Sequence, residues 1–145
     1  MYYEESELLE ALNKAKKELT RRTNEIKSYN RGYNDCAAFL VLYDQYLKIE
    51  SKAEEALTFH WNSVKEFIKG LKQKGFTVSQ YFEYCGYELV TNKRPKLGDV
   101  AFENGAMISD GSFWVSTDET NLGIKLRRQM MFVERHCIIA RPIRG

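Results

Sequence analysis
The segment from Cys36 to about Ile49, CAAFLVLYDQYLKI, constrains the fold more than any other part of the chain. Wound as a helix, it is apolar on nearly every side over its first two turns, so most of its faces must be covered by other elements. The spacing therefore predicts a central helix around which a domain is packed. Just before it, Asn30-Arg31-Gly32-Tyr33-Asn34 crowds turn formers together, and Asn34 or Asp35 is placed to cap the helix. At 145 residues the chain can bury one such core and not two.

The flanking segments supply the covering elements. Residues 4 to about 28 read as one long polar helix whose apolar positions Leu8, Leu12, Ala15, Leu19 and Ile26 form a heptad-like seam, interrupted by Arg22. Two readings fit this seam. The helix either lies on its own domain or docks a protein partner or a second copy through Leu8, Leu12, Leu19 and Ile26. A third helix is expected over Trp61–Lys74 with Gly75 as its stop, and a short fourth over Val78–Tyr84 with Ser79 as a possible cap. Beyond Tyr87 the pattern changes to strand-length pieces at 100–103, 106–109, 112–116, 124–127 and 137–143. Asn104-Gly105 and Asp110-Gly111 are dipeptides that close type I′ hairpin turns. Helices followed by an antiparallel meander predict an α+β fold, with N-terminal helices packed on a small C-terminal antiparallel sheet. Residues 1–29 read as a helical extension and residues 30–145 as the α+β domain.

Several classes of partner are argued against by composition. A formal charge of +2, with basic residues spread along the chain, gives no footprint for nucleic acid. No apolar run approaches the roughly 20 residues needed to span a bilayer. The acidic, polar start Met1-Tyr2-Tyr3-Glu4-Glu5 is unlike a secretory signal, which suits synthesis in the cytoplasm. Cys36, Cys85 and Cys137 form no CxxC pair, and His60 and His136 are far apart, so neither a metal nor another cofactor is expected.

Chemistry, if the chain performs any, centres on Cys36. It sits in the first turn of the predicted central helix, where backbone N–H groups favour a thiolate and can bind an oxyanion. The same position also suits a buried cysteine acting as a small hydrophobe. Cys85 and Cys137 read as packing residues. The crowded aromatics Tyr81, Phe82, Tyr84, Tyr87, Phe113 and Trp114 read as core or as the walls of a groove. Lys125-Leu126-Arg127-Arg128 reads as a solvated strand end.

Tyr33-Asn34-Asp35-Cys36-Ala37-Ala38-Phe39, then Gly75-Phe76, then Arg94-Pro95-Lys96-Leu97-Gly98-Asp99-Val100-Ala101, then Asp110-Gly111-Ser112-Phe113 carry a resemblance. In this order and spacing the chain resembles the NlpC-type branch of papain-like cysteine peptidases, and within it a divergent set found in tailed phages and prophages. The resemblance covers about residues 30 to 143 and implies a papain-like fold with Cys36 as nucleophile toward a murein peptide. It also implies a histidine base on the strand after the Gly-Asp turn and a polar residue to orient it. The chain departs from that pattern. The base should fall near Glu103 or Asn104 and the orienting residue near Trp114 or Val115. His136, or else His60, is left as a substitute base, and Tyr33, Asp35 and Trp114 as candidates for lining a substrate cleft. Two functions follow from the resemblance. One is a non-catalytic virion, tail or host-interaction component that keeps the frame; the other is a cysteine hydrolase acting on murein peptides.

Overall fold
The computed structural model describes residues 1–47 and 53–144. Its organising element is α2 (Cys36–Tyr46), whose Ala38, Phe39, Leu40, Leu42 and Tyr43 are all buried. Each large apolar side chain enclosed in this way contributes ~1.5–3 kcal/mol relative to exposure, so the all-round apolar sequence dictates a central place. Leu47 is the C-cap of α2, and Lys48 and Ile49 of the expected helix lie outside the described residues. On one side α2 is covered by α1 (Glu5–Ile26), and on the other by the sheet at β3 and β4. Leu8, Leu12, Ala15 and Leu19 of α1 belong to the same core cluster as Phe39 and Tyr43. The heptad-like seam is therefore packed inside this domain, and residues 5–26 are part of its core rather than an extension from it.

Two small helices and two longer ones complete the helical set: α3 (Ala53–Ala56), α4 (Val64–Gln73), α5 (Val78–Tyr84) and α6 (Met131–Glu134). α4 begins later than the apolar stripe suggests, because Ser63 caps it by accepting from the Glu66 N–H; Trp61 stands before the helix. It ends at Gly75 (φ +91), where the Gly75 N–H donates to Lys72 O and the Phe76 N–H to Leu71 O, a Schellman stop. α5 is capped by Thr77 with Gln80 in a capping box, not by Ser79.

The sheet is antiparallel throughout, with strands in the order β1 (Tyr87–Leu89), β6 (Ile138–Pro142), β2 (Val100–Phe102), β3 (Ala106–Ser109), β4 (Phe113–Thr117) and β5 (Ile124–Arg128). Val100, Phe102, Ile108, Val115 and Ala140 join the helical core. Ala101, Met107, Trp114 and Ile139 form a second cluster with Val90 and Cys137. Both faces of β2 and β3 are thus covered, which is why VAF and AMIS show no polar alternation. β5 is an edge strand whose last four residues are exposed. Neither hairpin dipeptide forms the expected I′ turn, since Gly105 and Gly111 have positive φ but Asn104 and Asp110 do not. Asp110 instead builds an Asx turn, its Oδ1 accepting from the Ser112 and Phe113 N–H groups.

The Gly98-Asp99 turn has a structural reason. A Cβ at Gly98 would lie 2.8 Å from Leu8 Cδ1 and 2.9 Å from the Tyr43 hydroxyl, which itself donates to Gly98 O. Asp99 is fully buried and accepts two 2.8 Å bonds from Arg141 of β6 and one from the Lys96 N–H. Among the described residues no helix is long and apolar enough to cross a membrane.

Candidate functional site
Cys36 is the first residue of α2. Asp35 caps that helix, Oδ1 accepting from the Ala38 N–H at 2.9 Å, while Oδ2 accepts from the Trp61 indole N–H at 2.9 Å. The preceding turn is held by Asn34, whose amide donates to Ser28 O and Thr23 Oγ1 and whose Oδ1 accepts from the Asn30 N–H. These bonds fix the sulfur beneath the β2–β3 hairpin. There Gly105 (φ +143) comes so close that a Cβ on it would sit 3.2 Å from Cys36 Sγ. The position facing the sulfur is therefore Gly105, and not Glu103 or Asn104, which are both exposed at the hairpin tip.

Burial pushes the Cys36 thiol up from its ordinary value, and the Asp35 carboxylate adds to the rise. The Ala106 N–H, Arg31 and the Cys36 N–H pull the other way without prevailing. The helix-terminal and hairpin amides that would steady a thiolate are present, but desolvation of the charged form outweighs them. The slot beside the thiol holds about 20 Å³, space for about one water. Its walls are Trp61, Phe67, Tyr81, Phe82 and Phe102, with Arg31 as its charged member.

Neither histidine lines this slot. His136 is exposed in the turn before β6, and its neighbour Cys137 packs in the cluster on the sheet face away from α2. His60 is exposed beside Trp61 and borders a second, larger cleft. The other candidates are also drawn elsewhere. Trp114 is fully buried on that far face, with its indole N–H donating to Glu134 at 3.2 Å. Asp35 is fully buried and both its oxygens are engaged, so it holds the helix start rather than a substrate. Tyr33 donates its hydroxyl to Glu25 and lies under the Arg22 guanidinium, against α1. Leu8, Leu12 and Leu19 are buried against the chain's own core and offer no docking stripe; Ile26 is half-buried. Among the described residues no group of His, Cys, Asp or Glu is arranged to hold a metal ion.

The larger cleft was not foreseen. It is a cavity of about 450 Å³ between α1, the Arg31-Gly32 turn, α2 and the Phe59–Trp61 segment. The signal for it was Arg22, the one residue that interrupts the apolar seam of α1. Comparison with known protein families, with curated proteins and with solved structures finds no match to this chain. What stands without them is an α+β domain with a half-buried cysteine at the head of its central helix.

Proposed function
We propose that this chain is a non-catalytic binding protein on an NlpC-like, papain-type frame, serving as a virion, tail or host-interaction component of a phage or bacterium. The observation that carries the reading is the residue over the Cys36 sulfur. A thiol near its free pKa of ~8.5 is only a few per cent ionised at neutral pH and needs a base within hydrogen-bond reach. In this chain that place is taken by Gly105, which has no side chain. Burial raises the thiol further, and the adjoining slot is too small for a peptide.

The alternative, a cysteine hydrolase on murein peptides, draws support from the Cys36 and Ala106 N–H groups that face the sulfur. Iodoacetamide alkylation of each cysteine across pH, read by peptide mass spectrometry, separates the two. The non-catalytic reading expects Cys36 to react slowly, with a midpoint at or above ~8.5. Rapid alkylation with a midpoint well below that value would sink it and restore the hydrolase.

A further inference from the structure
Arg22 stands where an apolar residue would continue the seam of α1, and the fold does not fully satisfy it. One terminal nitrogen of its guanidinium donates to Tyr33 O at 3.0 Å, and the group stacks over the Tyr33 ring at 5.0 Å. Its Nε is buried with no hydrogen-bond partner, the one such side-chain nitrogen or oxygen among the described residues. Buried donors are almost always paired, so Arg22 is held in the fold with its hydrogen-bonding capacity only partly used. Arg22 lines the 450 Å³ cleft together with Arg31, and His60 borders it. Among the described residues Arg31 makes one long ion pair, 3.6 Å to the exposed Glu119, and stacks over the Tyr29 ring at 5.1 Å. No described residue lining the cleft is an Asp or Glu. Gln45 adds a further polar group to the wall, and Val41, Leu57 and Phe59 form its apolar part.

We infer that this cleft binds a small amphipathic anion, its carboxylate or phosphate head held by Arg22 and Arg31 and its apolar body laid along Val41, Leu57 and Phe59. Guanidinium groups suit oxyanions because their planar donors pair with two oxygens at once. The volume falls within the ~300–1,000 Å³ typical of ligand sites. Both guanidinium groups line the cleft, and their outer nitrogens are the donors an oxyanion there would meet. The inference is independent of whether Cys36 performs chemistry.

The test uses four probes on the whole chain at constant ionic strength: sodium octanoate, mono-octyl phosphate, 1-octanol and sodium phosphate. Binding is followed by calorimetry and by the ¹H–¹⁵N signal of the Arg22 Nε–H. Octanoate or octyl phosphate should bind at least about tenfold more tightly than octanol and than inorganic phosphate, and should shift that signal. The stronger of the two identifies the head group. Arg22→Gln and Arg31→Gln should each weaken that probe about tenfold, and Arg31→Gln serves alone should Arg22→Gln not fold. The proposal is overturned if octanol binds as well as the anions, if no probe binds at ~10 mM, or if the folded variants bind like the wild type.

Discussion
Asp44 provides a stability switch whose sign and size follow from its surroundings. It lies on α2, is 1% exposed, and accepts a hydrogen bond from the Tyr87 hydroxyl. Burial pushes its carboxyl from 3.8 up to about 7, against the opposing effect of Tyr87. Between those values the folded chain holds a proton that the unfolded chain has released. Stability from this group is thus complete below about pH 4 and is lost as pH rises through about 7. At ~1.4 kcal/mol per pH unit, the loss between pH 5 and 8 comes to roughly 2–3 kcal/mol. Asp44→Asn keeps an oxygen for Tyr87 and removes the titration. Urea unfolding midpoints at pH 5, 6, 7 and 8 should therefore fall in the wild type and stay nearly level in the variant, with unchanged m values. Glu25, lowered chiefly by the Tyr33 hydroxyl, and Asp118, lowered chiefly by the Asn121 N–H, contribute above their unfolded values and lose that contribution in more acidic solution. Parallel curves for the two proteins over pH 5–8 would refute the reasoning.

Two further substitutions test the site and the packing. Asp35→Ala removes the cap of α2 and strands the Trp61 indole N–H, so denaturant unfolding should show a loss of about 2–4 kcal/mol. Trp61→Phe in the same background should then cost much less than it does alone. Leu19→Ala, at a fully buried position of α1, should cost about 2–5 kcal/mol in the same assay, whereas an exposed docking residue would move stability by less than ~0.5 kcal/mol.

Local rules carried most of the architecture. The all-apolar start of α2, the stripe on α4 and the apolar pieces of β2 and β3 announced themselves because burial on several sides leaves little room for polar residues. What escaped depended on packing at a distance. β1 and α6 are too short for periodicity to register, and the seam of α1 has the same pattern whether it meets a partner or its own domain. The site was legible in one respect, the Asp35-Cys36 helix start. Its partners were not, because which hairpin residue faces the sulfur depends on turn geometry, and counting back from Asp110-Gly111 points to Glu103 or Asn104 rather than to Gly105. Arg22 was visible as an interruption, but nothing local told that its Nε would be enclosed without an acceptor.

The two ends of the chain meet. Tyr2 bridges Ile143, the Arg144 N–H donates to Met1 O at 2.7 Å, and Arg144 pairs with Glu7. Tension applied through both ends would open this junction like a zip, one contact at a time, before any strand of the sheet had to slide past its neighbour. Strung within a longer polypeptide, such a domain hangs from a single point as a pendant and adds little to the span of the strand that carries it.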